Sequence, residues 1–229
     1  MLVMLAQAAR CDAALLTARQ HMVRLDPARA EIELTAPGRE GCDLELALAY
    51  LRGLAAAKAA YARGGDEASL APVRAAIALA GERAALGEVA EIVGFVLRAA
   101  VAAAQSERDE MSVMLAQALQ VERSRGARGL GGAPLVSAHE MAGDLWLQVH
   151  RYDEAAAAYH VARASAGDSP RTTLGLARAL ARLDQAGAAC EEYRRLTDQA
   201  RVLRPAMTDE LAEADQYLRQ PACRAAGRR

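Results

Sequence analysis

Residues 137–170 read SAHEMAGDLWLQVHRYDEAAAAYHVARASAGDSP, and this stretch decides the fold. It opens with Ser137 and Glu140 in the spacing of a capping box, where the hydroxyl accepts from the third helical N–H and the carboxylate reaches back to the cap. A helix is therefore predicted from there to about His150. A turn is expected at Arg151-Tyr152 and a second helix from about Asp153 to Ala166, its first turn carrying two acids that the helix dipole favours. Gly167-Asp-Ser-Pro170 stops that helix and starts another, with Asp168 or Ser169 as cap and Pro170 at the first helical position, where a missing N–H costs nothing.

The same spacing returns downstream. Ala142, Gly143, Trp146, Ala155, Tyr159 and Ala162 match Leu176, Ala177, Leu180, Ala189, Tyr193 and Leu196, every pair set apart by one constant interval. Two more helices follow at about 170–183 and 186–201. Upstream, Asp109-Glu110 precedes Asp153-Glu154 by a longer interval, and Ala99, Ala102, Leu115 and Ala118 keep that same distance from Gly143, Trp146, Tyr159 and Ala162. The excess matches the length of a glycine-rich insertion at 126–135. A hairpin is expected over about 84–105 and 107–124, with Ser106 as the second helix's cap. A fainter echo at Asp66-Glu67 predicts helices at about 43–63 and 69–81, Pro72 arguing that the latter begins late.

Toward the ends the pattern thins. Residues 2–25 carry a helical stripe through Leu5, Leu15, Leu16, Met22 and Leu25 that stops at Asp26-Pro27, with no clear outgoing partner. Residues 35–42 read as a surface loop. Pro205 and Pro221 bracket a last helix at about 208–219, capped by Thr208 and backed by polar residues, as the open end of a stack requires.

Composition agrees with an all-helical chain. Alanine fills 57 of 229 positions, against one Phe, one Trp and six Tyr. Alanine is the best helix former, and the β-branched and aromatic residues that strands favour are scarce. An apolar content of 53% suffices for a core. The formal net charge of -1 gives no basic field for nucleic acid, and 3% aromatic residues offer little on which bases could stack. No apolar run is long enough to span a bilayer. The N-terminal Met-Leu-Val-Met-Leu-Ala-Gln-Ala-Ala lacks the basic flank and length of a signal peptide and reads as an amphipathic first helix. The expected location is the cytoplasm by default, or an exported one if a leader has been removed. Cys11, Cys42, Cys190 and Cys223 form no Cys-x-x-Cys pair, so a zinc or thioredoxin-type site lacks support. An even count with these spacings permits two disulfides, and buried free thiols account for the same count.

At the residues quoted above, and most clearly over 136–201, the chain resembles the tetratricopeptide repeat family of bacterial helical-repeat proteins, whose period of about 34 residues the constant interval matches. The resemblance implies a right-handed α-solenoid of antiparallel helical hairpins, about ten or eleven helices over 1–229. Its clearest repeats would be 136–169 and 170–203, with degenerate ones at about 84–125 and 43–82, and a capping helix at 206–220. Ala177 replaces the family's usual glycine, Gly187 stands where an acid is common, and Gly167 where proline usually closes a repeat. Members of the family look like scaffolds that hold peptides or partner domains on a concave face. Carried over to matching positions, that face would be lined by Ser137, Glu140, Asp144, Leu147 and Gln148, then Arg171, Leu174, Arg178 and Arg182.

Arg171, Arg178 and Arg182 follow one another at steps of seven and four and share one side of a helix. They would form a cationic strip beside Glu140 and Asp144, suited to an acidic peptide or a C-terminal carboxylate gripped by guanidinium forks. The competing reading pairs Asp144 with Arg178 or leaves all of them solvated; such surface pairs contribute about 0–1 kcal/mol.

Other chemistry finds no footing in the chain. His139-Glu140 begins an H-E-x-x-H zinc helix, but Gly143 occupies the second histidine's place. His150 and His160 flank one turn without a third ligand, and His21 stands alone. Gly129-Leu-Gly-Gly lacks the strand before and the Gly-Lys-Ser/Thr after that a phosphate loop needs. Cys190 lies mid-helix on a packed face and reads as a small, inert core residue. Adjacent acids such as Glu191-Glu192 diverge around their helix. The expectation is a protein- or peptide-binding scaffold that is not an enzyme and uses no cofactor or metal. The rivals are a sensory module cut from a larger bacterial regulator, and a helical enzyme whose site is assembled from scattered residues.

Overall fold

The structure is a computed structural model that describes residues 2–38, 42, 44–125, 134–203 and 208–226. Among the described residues there are twelve α-helices, one 3-10 turn and no strand. The helices are α1 Leu2–Val23, α2 Pro27–Thr35, α3 Glu45–Ala62, α4 Glu67–Arg83, α5 Glu88–Ala104, α6 Arg108–Arg125, α7 Ala138–Gln148, α8 Tyr152–Ala166, α9 Pro170–Arg182, α10 Ala186–Leu203, α11 Thr208–Leu218 and α12 Pro221–Ala226. The chain divides into two compact units, Met1–Met22 with Pro27–Ala138, and Val23–Asp26 with His139–Arg229.

Among the described residues, four helix pairs share one closing device, and Leu25 in the turn after α1 also has a positive φ (61°). At the ends of α3, α5, α7 and α9 a residue with positive φ ends the helix: Gly64 (82°), Ser106 (65°), His150 (64°) and Asp184 (57°). The next residue then donates its N–H back to the carbonyl five positions earlier: Gly65 to Ala60 (2.9 Å), Glu107 to Ala102 (2.8 Å), Arg151 to Trp146 (2.8 Å) and Gln185 to Leu180 (3.0 Å). This is the Schellman closure, which satisfies carbonyls that a helix end otherwise orphans. The following helix starts almost at once, because the carbonyls of Asp66, Glu107, Arg151 and Gln185 already accept its first bonds, from Leu70, Met111, Ala155 and Ala189.

This geometry corrects two expectations. Ser106 is not the cap of α6; it holds the left-handed position, and Glu107 stands at the cap, its carbonyl accepting from the Met111 N–H. The turn after α7 centres on His150, so α8 starts at Tyr152, one residue early.

In the first unit α5 is the central helix, packed by α3, α4 and α6. Its sequence is apolar nearly all round, and Ile92, Val93, Val96, Leu97 and the run Ala99–Ala104 are buried, as a fully enclosed helix requires. Gly53 lets α3 approach closely, since a β-carbon there would lie 2.9 Å from Leu97 Cδ2. Pro72 does not delay α4, which begins at Glu67 with Pro72 inside it. The backbone bond forfeited at Pro72 is offset by a strong start: the Asp66 carboxylate accepts from the Ser69 N–H (2.9 Å) and hydroxyl, and Arg63 Nε donates to that hydroxyl (2.8 Å).

In the second unit two apolar layers share α9 and α10. Ala155, Ala156 and Tyr159 of α8 meet Leu176, Ala179 and Leu180 of α9 and Ala189 of α10. Leu174 and Ala177 of α9 meet Tyr193 and Leu196 of α10 and Ala214 of α11. Burying a leucine contributes roughly 1.5–3 kcal/mol, whereas the alanines contribute mainly by letting helix axes come close. Ser169 is the cap of α9, in a reciprocal box with Thr172: its Oγ accepts from the Thr172 N–H (3.1 Å) while its own N–H donates to Thr172 Oγ1 (3.2 Å).

The sequence reading expected ten or eleven helices and missed α2 and α12. Both begin at a proline, Pro27 and Pro221. In sequence each proline follows a helical stripe and marks its end, whereas proline at the first helical position initiates the next helix. The glycine-rich insertion falls, save Pro134 and Leu135, outside the described residues, as do 39–41 of the expected loop and 206–207 of the expected capping segment.

Candidate functional site

The strip expected on α7 and α9 is assembled differently from either sequence reading. Asp144, on α7, accepts from the Tyr159 hydroxyl at 2.5 Å and from the Arg171 guanidinium. Arg178 does not pair with Asp144. It forks onto Glu213 of α11, with Nη2 to Oε2 at 2.6 Å and Nε to Oε1 at 3.0 Å, and Tyr193 donates its hydroxyl to the same carboxylate at 2.8 Å. The reason lies in the repeat itself. Tyr159 and Tyr193 stand one repeat interval apart, and so do Asp144 and Arg178. The position that gives Tyr159 an acceptor therefore gives Tyr193 a cation, and the acid that Tyr193 needs comes from the next helix.

Each trio is a brace of phenol, carboxylate and guanidinium. Burial, then the charge and hydrogen bond of Asp144, raise the Tyr159 phenol well above its usual range. Burial and the Glu213 carboxylate do the same to Tyr193. Burial alone would push the Glu213 carboxyl up, but hydrogen bonds from Arg178 and Tyr193 outweigh it and hold the carboxyl low. The same pairing raises Arg178 against the downward pull of its burial.

The remaining expected residues scatter. Leu174 is core rather than lining, because the side of α9 between Arg171 and Arg178 packs against α10 and α11. Leu147 is half-buried against the α8–α9 layer. Ser137 and Glu140 are buried, and Gln148 is half-buried. Arg182, in the last turn of α9, is exposed and makes no ion pair among the described residues. Of the strip, the structure brings Asp144 and Arg171 together, turns Arg178 to Glu213 and leaves Arg182 facing solvent.

A third cluster escaped the sequence reading. Arg163 of α8 forks onto Glu192 of α10 (3.0 and 2.6 Å) and lies 2.7 Å from Asp168, with Arg195 3.3 Å from Asp168. The only signal would have been the facing of α8 and α10, which one sequence does not display.

Cys190 is no free thiol. It is buried as expected, but bonded to Cys223 of α12; Cys11 of α1 is bonded to Cys42. Among the described residues no group of three or more His, Cys, Asp or Glu is placed to hold a metal ion, and no helix is long and apolar enough to cross a membrane. Asp144, Arg163, Arg171, Arg178, Glu192 and Glu213 thus brace neighbouring helices, while Arg182 at the end of α9 is exposed. Comparison with protein-family models, with curated proteins and with solved structures gave no match.

Proposed function

We propose that this chain is a tetratricopeptide-like helical-repeat scaffold, a right-handed α-solenoid that holds a protein or peptide partner and performs no chemistry of its own. The observation that carries the reading is the repeated closure at Gly64, Ser106, His150 and Asp184, each followed at once by a returning helix. A chain that repeats one hairpin closure builds surface rather than a reaction centre. The concave face would be formed by the first helix of each pair, with Gln148 and Arg182 at equivalent places in consecutive repeats. Because Asp144 and Glu213 already neutralise Arg171 and Arg178, the cation offered to an acidic side chain or C-terminal carboxylate is Arg182.

The test uses the full chain as bait under non-reducing conditions, followed by affinity measurement with each recovered partner. Arg182→Glu is expected to weaken binding about tenfold or more, roughly the 1.4 kcal/mol that reversing one contact charge removes. Arg201→Glu, on an exposed arginine of α10, is the control. Arg178 is unsuitable, since its loss would disturb the Glu213 brace. Equal affinity of wild type and Arg182→Glu for every partner would remove this face from consideration.

A further inference from the structure

The two disulfides differ in access. Cys190 and Cys223 are 0% and 2% exposed, sealed between α10 and α12, where Arg194 also donates to the Cys223 carbonyl at 2.7 Å. Cys11 and Cys42 are only half-buried. Both pairs have a Cα–Cα distance of 5.4 Å, ordinary for a cystine, so neither is set apart by backbone separation. Thiol–disulfide exchange requires a thiolate to reach a sulfur of the bond, and access decides which cystine is attacked.

We infer that Cys11–Cys42 is a thiol–disulfide exchange site, opened and re-formed by a redox partner of the dithiol class, while Cys190–Cys223 is a permanent brace. In the forward step a thiolate of the dithiol attacks one sulfur of Cys11–Cys42. The S–S bond breaks, the other sulfur leaves as a thiolate and takes up a proton. The second thiol of the reductant then attacks the mixed disulfide, expelling the remaining cysteine. Two electrons and two protons pass to the protein, and the dithiol becomes a disulfide; an oxidant of the same class reverses the step.

What the bond controls follows from its place in the chain. It ties the middle of α1 to the residues just before α3, and so encloses the second half of α1 and all of α2. Between α2 and α3 there is also the ion pair of Glu31 with Arg52, 2.8 Å long but solvent-exposed on both sides, a kind of contact that restrains little. Among the described residues, Ala14, Ala18 and Met22 on α1 and Ala30 and Leu34 on α2 are buried, and Leu25, in the turn between the two helices, packs beside Leu174 and Leu196. Opening the bond loosens α1–α2 and leaves α3–α6, with their own apolar core around α5, in place. The inference does not depend on the proposed function.

The test takes the full chain purified without reductant and exposes it, folded, to a dithiothreitol series. Thiols freed in the folded state are alkylated with one isotopic label and the rest, after denaturation and reduction, with another, and each cysteine is read by mass spectrometry. Cys11 and Cys42 are expected to open at a reductant concentration at least tenfold below that needed for Cys190 and Cys223. Hydrogen exchange on the same samples should quicken across residues 2–35 and stay unchanged across 45–125. The paired variant Cys11→Ala, Cys42→Ala should reproduce that exchange pattern without reductant. Four free thiols in the purified protein, simultaneous opening of both bonds, or unchanged exchange across 2–35 would each overturn the inference.

Discussion

Gly175 of α9 lies against the ring of Tyr159 so closely that a β-carbon on it would stand 2.1 Å from Cζ. From α7, Gly143 approaches the same ring, its missing β-carbon 2.6 Å from Cε1. The aromatic ring is clasped between two helices that can offer it only hydrogen atoms, and its hydroxyl is pinned by Asp144. In open helix, glycine to alanine gains up to about 1 kcal/mol from propensity. Here the gain is outweighed, and Gly175→Ala and Gly143→Ala are expected to destabilise by about 1–3 kcal/mol through overpacking. Gly187→Ala in α10, whose β-carbon would meet nothing within 4 Å, is expected to stabilise by about 0.4–1 kcal/mol. Urea unfolding of the three variants measures the contrast. Combining Gly175→Ala with Tyr159→Leu should cost less than the sum of the two.

The Glu213 brace makes the second unit sensitive to pH at both ends. The Glu213 carboxyl is held low in the folded chain, so its contribution is present above the ordinary carboxylate range and is lost as pH falls through the folded value. Tyr193 is displaced the other way. Its contribution is complete below about pH 10, the unfolded phenol's value, and declines as pH rises toward the folded one. Glu213→Gln is expected to flatten the acid limb of a stability–pH profile, and Tyr193→Phe the alkaline limb. An acid limb as steep in Glu213→Gln as in wild type would show that other carboxylates govern it.

Ser106 occupies a left-handed position that costs an ordinary residue roughly 1–2 kcal/mol. Ser106→Gly is expected to recover about 1 kcal/mol, and Ser106→Val to lose at least as much, because a β-branched residue tolerates positive φ least. Thermal unfolding followed by circular dichroism reads both. Had Ser106 been a cap, glycine would have weakened the helix start, so the sign of the change discriminates.

Removing the buried cystine by Cys190→Ala with Cys223→Ala opens a loop of 33 residues, for which chain-entropy arguments give roughly 3–4 kcal/mol. A lower Tm is expected under non-reducing conditions, and hydrogen exchange should show the loosening concentrated in α11 and α12. These helices retain the Tyr193–Tyr217 stack, with ring centroids 4.7 Å apart, and the Arg178–Glu213 pair. They should therefore remain helical.

What the sequence disclosed was local, and what it withheld was the partnering of faces. Ser169-Pro170 announces α9 because a cap and a proline act within one turn of themselves. The match of Tyr159 with Tyr193 survives in plain register. Nothing near Arg178 in sequence points to Glu213, 35 residues away on another helix, since ion pairs depend on which helix faces meet. The same holds for Arg163 with Glu192, 29 residues apart. Cys190 reads as core because it is core; the bond it makes is invisible until α12 is known, and α12 hides behind a proline that looks like an ending. Of the proposed face, the helical spacing showed only that Arg182 shares a side of α9 with Arg171 and Arg178, whereas Leu174, three residues on from Arg171, faces inward.

Because each hairpin is shut by bonds among its own few residues, shutting it requires nothing from the neighbours. His150 and Asp184 occupy the same station in consecutive repeats, so a splice joining His150 directly to Gln185 deletes one full period and still leaves a residue of the right handedness before a returning helix.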